Sequence, residues 1–422
     1  MDDKKLFTKI LGLEPPWFIK KVVLNEKKQS IDIDIYIDHG TDIQARCPEC
    51  DKFCSIYDHA PERTYRHLNT CHMQTYVHVR LPRVNCSKHG VKQIISEFGE
   101  NGSEMMYAFE SHVIRVAKEC NLTGTAGLCG LSWDQSWNAL KRAVARGQAR
   151  KEHRIPKRIG VDEKSFASGH KYETLVYDID AGTVEFVCDK REQKSLENYY
   201  KQFEPEQRSQ VQAVSMDMWD PYIAATKAYI PNAEKKIVFD RFHVMQHVLK
   251  AVDKVRKKEH KELSENGSDI LKGTKYLWLW NNENIPEWRK EEFEELRAKD
   301  LKVCRANAIK ENLRHMWDYR YEGNMRKYFK SWYFWATHSR LEPIKKAANT
   351  LKSHLDNIVT YARHRITNAL AEGMNAKIER VKRMACGFRN RAHYRIAIFF
   401  HCGGLDLFPR LSLQPLLKFR EA

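Results

Sequence analysis

Three acidic residues stand where carboxylates can converge. Asp162 follows a short apolar run in Ile159-Gly160-Val161-Asp162-Glu163, and Asp217 follows another in Val214-Ser215-Met216-Asp217. Glu372 lies in a stretch of helical period over residues 366–383. Carboxylates are hard ligands that suit Mg²⁺ or Mn²⁺. Phosphodiester hydrolysis uses two such ions about 4 Å apart, one activating the attacking oxygen and one stabilising the leaving oxygen. One acid at a strand end is ordinarily a turn or helix cap. Three of them, in the strand order given below, predict a site that holds two divalent cations. Asp240 and His243, in Asp240-Arg241-Phe242-His243, close a further strand. They are expected to orient the site helix or touch the scissile phosphate, with a structural hydrogen-bonded pair as the alternative.

A second constellation is Cys47-x-x-Cys50 with Cys86-x-x-His89. Two such half-sites clamp a tetrahedral Zn²⁺. Cys54, Cys71 and His72 compete as ligands. With four protein ligands and no open position, the ion is expected to serve folding and DNA-end recognition. Eleven cysteines in 422 residues are too sparse for a disulfide scaffold.

The elements that must position these residues follow from periodicity. Residues 6–13 predict a short helix. Ile31, Ile33, Ile35 and Ile37 alternate with Asp32, Asp34, Tyr36 and Asp38, which predicts a strand with two unlike faces. The segment 74–86 returns to strand pattern, giving a β-rich module over 1–100. Residues 101–152 predict a helix-turn-helix, with Gly130 at the turn, Ser132 as N-cap and a second helix over 133–146. From residue 158 the order is strand, strand, strand, helix, strand, helix, strand, helix, with Asp180-Ala181-Gly182 as a hairpin turn and Pro221 at a helix start. That is the order of a ribonuclease-H-like core. It is expected over 153–257 and again over 341–422, interrupted at 258–340 by an all-α insertion. The fold class is therefore multidomain α/β. Six of the ten tryptophans (278, 280, 288, 317, 332, 335) fall in the insertion, where core packing accounts for most of them. In the Glu372 helix, Leu370, Met374, Ile378, Val381 and Ala385 form an apolar stripe. The helical pattern is expected to run on to about residue 400.

Lys plus Arg exceeds Asp plus Glu by 72 − 55 = 17, which favours a polyanionic partner, nucleic acid first. Candidate DNA contacts are Lys141, Arg142 and Arg146 in the second helix of the turn motif, with Arg150 behind them. Around the Glu372 helix they are Asn368, Asn375, Lys377, Lys382, Arg383 and Arg389, with Arg380, Arg391 and Arg395 adding charge. Asn368 and Asn375 flank Glu372 at i−4 and i+3 and are alternatively placed to orient its carboxylate. No apolar run approaches a membrane span, and the N-terminus lacks a signal peptide's pattern. A cytoplasmic, nucleoid-associated protein is expected, with no membrane partner.

These residues resemble the bacterial insertion-sequence transposases of the ISL-three type, in the DDE superfamily. The resemblance rests on CPEC…CSKHG, GVDE, SMDMWDPY, IVFDRFHV and TNALAEGMNAKIERVKRMACGFRN, and it covers nearly the whole chain. It implies that Asp162, Asp217 and Glu372 are the DDE triad and that Asp240 and His243 are an Asp-x-x-His signature. Glu163, Asp220 and Asp240 are the alternative acids. The interval 372 − 217 = 155 exceeds that of compact DDE enzymes, and the insertion accounts for the excess. It implies binding of terminal inverted repeats, hydrolysis at the element end, and attack of the freed 3′-hydroxyl on target DNA. It implies a homodimer or larger multimer on paired ends. In related transposases an aromatic of the insertion holds a flipped base, a role for which Trp332 or Trp335 is the candidate here. Competing readings are a zinc and helix-turn-helix regulator, a nuclease without strand transfer, and a decayed transposase that binds but no longer cuts.

Overall fold

The computed structural model describes residues 3–26, 30–167, 171–366, 369–409 and 417–419. Its N-terminal part is β-rich, in two sheets. Trp17–Glu26 pairs antiparallel with Ile31–His39, which runs parallel to Met73–Val79, and Arg63–Thr70 closes that sheet. The first of these strands was not expected, because a bulge between Ile19 and Lys21 breaks its alternation. The opening helix is Asp3–Leu11. Ile33, Ile35 and Ile37 are buried as their period requires, yet Asp32 and Asp34 are buried too. Ile31–His39 is an inner strand, and Asp34 accepts hydrogen bonds from Nε2 of His78 and from Asn25 on the strands beside it. The second sheet is ordered Leu417–Phe419, Ile43–Arg46, Phe53–His59, Pro82–Cys86, Gly90–Gln93.

Three helices follow: Tyr107–Glu119, Leu122–Cys129 and Trp133–Arg150. Gly130 turns the chain with φ 63°, a conformation glycine adopts without strain. Ser132 and Gln135 form a reciprocal capping box, so the last helix starts where the sequence places its cap and runs four residues longer than expected. Its basic residues divide. Lys141 is exposed. Arg146 instead points inward, with Nε 2.5 Å from Glu100 Oε1 and Nη2 2.6 Å from Glu110 Oε1, and it donates to the Leu407 carbonyl. Arg142 reaches the other oxygen of Glu110 at 2.8 Å. Arg142 and Arg146, expected at phosphates, are thus committed to an interior ion-pair knot, because Glu110 is buried and must be neutralised. Removing Arg146 leaves that buried charge half compensated, by Arg142. Arg146→Ala is expected to cost about 3–5 kcal/mol in urea denaturation, whereas Arg150→Ala, which breaks a half-exposed pair with Asp406, costs about 0–1 kcal/mol.

The central sheet has the order Thr183–Asp189, Lys171–Asp178, Arg158–Ala167, Ala213–Met216, Ile237–Phe239. Its first three strands are antiparallel neighbours, and the last two run parallel to Arg158–Ala167. One face buries Ile159, Val161 and Val176 with Leu196, Tyr200 and Tyr222. These come from the helices Gln193–Tyr200 and Asp220–Tyr229. The opposite face buries Leu175 and Tyr177 under Met374, Ile378, Tyr394 and Ile398, from Ala369–Met384 and Arg391–Cys402. The predicted apolar stripe therefore lays the Glu372 helix on the sheet. That helix ends at Met384, and the helical pattern expected to about residue 400 resumes in Arg391–Cys402. Cys386 and Gly387 have φ 52° and 93°, and Asn390 caps a new helix.

Between Ile237–Phe239 and the Glu372 helix, every regular element among the described residues is helical. Arg241–Glu265 is one unbroken helix, so the expected boundary at 257–258 falls inside it. Trp278, Trp317 and Trp332 are buried. Trp332 donates its indole N–H to the Ile309 carbonyl at 2.9 Å. It is core, and its assignment to a flipped base is corrected on that ground. Trp335 is 39% exposed and Trp288 80%.

Candidate active site and zinc centre

The strand bearing Asp162 continues to Ala167 instead of ending at the acid. Its parallel neighbour pairs only with Arg158, Ile159 and Gly160, so Asp162 emerges just where that neighbour leaves the sheet. Asp217 and Asp240 each follow the last residue of a parallel strand. Asp217 and Asp240 therefore leave the sheet at the C-terminal ends of parallel strands, where open α/β sheets form a crevice, while Asp162 stays in its strand, paired with Leu175.

Each acid is held. Asp162 is buried, with Oδ1 accepting from the Glu163 N–H at 2.7 Å and Oδ2 accepting from Asn375 Nδ2 at 2.5 Å. Asn375 in turn accepts from the Tyr177 hydroxyl at 2.8 Å. The Asn375 side chain, expected at DNA or on Glu372, is instead a strut between the Glu372 helix and the sheet. Asn368 lies outside the described residues. His243 stands one helical turn into Arg241–Glu265, with Nε2 2.7 Å from Asp217 Oδ1 and 3.9 Å from Asp240 Oδ2. Glu372 is exposed in the first turn of its helix.

The electrostatics show the crowding. Burial pushes Asp162 above the usual carboxylate range, with the charge on Asp217 adding to it. Burial raises Glu163 to about 7 against the opposing pull of Arg191. It raises Asp240 to about 6, and the charges of Glu372 and Asp217 contribute. Burial alone would lower His243, but its contact with Asp217 and the charge on Asp240 outweigh that and raise it. The charge on Asp217 thus acts on Asp162, Glu163 and Asp240, and that on Glu372 acts on Asp240.

Oε2 of Glu163 and Oδ2 of Asp240 are buried without a hydrogen-bond partner. Such oxygens carry a desolvation penalty that a bound cation removes. The donor set, oxygen-rich and negative, fits Mg²⁺ or Mn²⁺. The carboxylates are spread out, however: among the described residues only a thiol–imidazole group draws three or more ligand atoms within 4.8 Å of one another.

That group is Cys47, Cys50, Cys86 and His89. Cys47 follows Ile43–Arg46 and Cys86 ends Pro82–Cys86, so two strands of one sheet, on either side of Phe53–His59, deliver the half-sites. The separations are 3.7 Å for Cys50–Cys86 and 3.6 Å for His89 Nδ1 to both Cys47 and Cys86. Tetrahedral bonds of about 2.3 Å to sulfur and about 2.0 Å to nitrogen give edges of roughly 3.8 and 3.5 Å, so the cage has the size of zinc. Backbone N–H groups of Lys88 and His89 pull the Cys86 thiol down to about 6, towards the thiolate that binds metal. Cys54 bonds its neighbour's carbonyl, at Lys52, and Cys71 and His72 are exposed. The competing ligands stand outside the group.

Of the bases beyond Glu372, Arg391 and Arg395 pair with Glu173 and Asp189. Lys382 donates to the Ser165 carbonyl and Arg383 reaches Glu379 while 80% exposed. Lys377 and Arg389 are exposed. Arg389 lines a cleft of about 890 Å³ with Trp133, Trp137 and His393. Sequence reasoning missed Tyr177 and Arg191 at the active site. No motif marks either, since both arrive through tertiary packing.

Residues 159–398, which are 398 − 159 + 1 = 240 of 422, match the ISL3 family of DDE domains, described as transposase. Residues 43–89 match the family described as the zinc-finger of transposase IS204/IS1001/IS1096/IS1165. The chain is 25% identical to the transposase for insertion sequence element IS1557 of Mycobacterium tuberculosis, over 92% of this chain and 93% of that protein. It is 24% identical to the transposase for IS1001 of Bordetella parapertussis, over 83% of this chain and 87% of that one. With more than half its length inside the catalytic family and its thiol cage inside the family's zinc finger, the chain belongs to the ISL3 family of DDE transposases.

Proposed function

We propose that the chain binds the terminal inverted repeats of an insertion sequence, hydrolyses a phosphodiester at each end, and joins the freed 3′-hydroxyl to target DNA. Asp162, Asp217 and Glu372 are the metal-holding acids of a ribonuclease-H-like core. The observation that carries this reading is geometric: His243 Nε2 stands 2.7 Å from Asp217 and 3.9 Å from Asp240, and Asn375, one helical turn beyond Glu372, reaches Asp162 at 2.5 Å, so segments far apart in the chain bring their acids to one place. A regulator that only binds DNA has no use for such a costly cluster.

Cations bound among these acids supply an activated oxygen nucleophile and neutralise charge on the leaving oxygen. The chain's own residues prepare the place. Asn375 and the Glu163 N–H fix both oxygens of Asp162. His243 fixes Asp217. Both displacements, by water and by the 3′-hydroxyl, are in-line and form no bond to the protein. Lys141, Lys377, Arg383 and Arg389 are the exposed cations we assign to the DNA backbone, with Leu122–Arg150 as a helix-turn-helix and the active form a multimer on paired ends. In the presence of Mg²⁺, DNA bearing the repeats that flank the reading frame should be cut and joined. Cutting without joining leaves a nuclease, and binding alone leaves a regulator or a decayed copy.

A further inference from the structure

Arg191 belongs to none of the sequence motifs, yet it stands at the rim of the acid cluster. It lies between the strand Thr183–Asp189 and the helix Gln193–Tyr200. Its Nη2 is 3.0 Å from Glu163 Oε1 and 3.8 Å from Asp217 Oδ2. Its guanidinium carbon sits 4.3 Å from the centroid of the Trp219 ring, a face that holds a cation in place while leaving its N–H edge free. Nε is buried with no hydrogen-bond partner, and 29% of the side chain faces solvent. The guanidinium is therefore aimed, restrained from one side and short of acceptors.

We infer that Arg191 is a further catalytic residue: it takes a non-bridging oxygen of the scissile phosphate and stabilises the negative charge that grows there. The inference rests on the transposase reading. Five carboxylates, those of Asp162, Glu163, Asp217, Asp240 and Glu372, are matched locally by Arg191 and His243. Of the five, Glu163 meets the guanidinium at 3.0 Å and Asp217 stands further off at 3.8 Å. With cations held among the acids, Glu163 and Asp217 would no longer need Arg191 as counter-charge, and its guanidinium, kept in place on Trp219, would be free to meet phosphate. Arginine suits this task because its charge persists at any physiological pH and its planar fork matches phosphate oxygens. A preorganised donor of this kind contributes about 10²–10³ in rate. No bond to the protein forms and no proton moves through Arg191; it meets developing charge only.

The test compares wild type, Arg191→Ala and Arg191→Lys on DNA carrying one repeat end, in single-turnover cleavage with Mg²⁺. A second DNA has an uncharged methylphosphonate at the scissile position. Repeat binding in EDTA and thermal melting are measured alongside. We expect Arg191→Ala to cut the ordinary end about 100-fold more slowly, with binding and melting close to wild type. Arg191→Lys should recover part of the loss, and ethylguanidinium should partly rescue the alanine variant. On the methylphosphonate end the gap between wild type and Arg191→Ala should shrink towards unity, because the charge that Arg191 meets is gone. An equal gap on both substrates, an unchanged rate, or a loss that tracks melting would overturn the role. A wild-type chain that binds the repeats but leaves the ordinary end intact sinks the transposase reading, and this inference with it.

Discussion

Asp217→Asn should abolish cleavage at the element end, by at least about 10³-fold, while the protein still binds the repeats. Among the three acids this substitution is the cleanest. Asp217 contacts His243 through Oδ1 at 2.7 Å and Arg191 only distantly through Oδ2. An asparagine keeps an oxygen for His243 and removes one negative charge from the cluster, so folding is little affected. Asp162→Asn is less clean. Each oxygen of Asp162 accepts from a different donor, the Glu163 N–H and Asn375 Nδ2, and an amide offers only one oxygen. The other donor would face an NH₂ group, which costs about 1–3 kcal/mol in a buried place. Glu372→Gln, on an exposed first turn, should match Asp217→Asn in lost cleavage and retained stability. Each variant loses one carboxylate from the site we propose holds divalent cations, and the amide is a far poorer ligand. Gel-shift binding and single-turnover cleavage on the same preparations separate the two effects. Cleavage by Asp217→Asn at a tenth of the wild-type rate or faster would remove Asp217 from the triad.

Much of this site could be read from residue order, because its acids sit at positions that topology makes special. A strand followed by an acid is visible in GVDE, VSMD and IVFD, and the strands found at Arg158–Ala167, Ala213–Met216 and Ile237–Phe239 carry those acids. The Met374, Ile378 and Val381 stripe predicted a helix lying on a core, and all three are buried. What stayed hidden depends on contacts between distant segments. Asn375, expected at DNA or on the Glu372 carboxylate, bonds instead to Asp162, 213 positions away. Arg146 looked like any base on a DNA-facing helix, but Glu110 from another helix needed its charge. Asp32 and Asp34 alternate with isoleucines as though facing water, yet strands on both sides cover them. A local pattern reports which side of an element is polar; it does not report what will pack against that side.

The second large effect concerns metal removal from the N-terminal module. The two half-sites sit at the ends of strands on either side of Phe53–His59, in a sheet whose described strands in that region span only four to seven residues. All the described cysteines are free of disulfides, so the fourfold clamp is the cross-link that ties these short strands together. Structural zinc contributes about 10–16 kcal/mol of apparent folding free energy in small modules at neutral pH, more than so small a sheet can replace. Cys86→Ser, or prolonged chelation, should take bound zinc from one ion per chain to none and expose residues 43–89 to protease. Repeat binding should fall with it. The core around Val161, Met216 and Tyr222 forms a separate hydrophobic cluster from the one around Ile35 and Cys86, so the catalytic half should remain folded and yield a protease-resistant fragment. Cys54→Ser is the control: its sulfur donates to the Lys52 carbonyl and lies outside the four-ligand group, so zinc content and protease resistance should stay at wild-type levels. Zinc retained by Cys86→Ser, or lost by Cys54→Ser, would require a different ligand set.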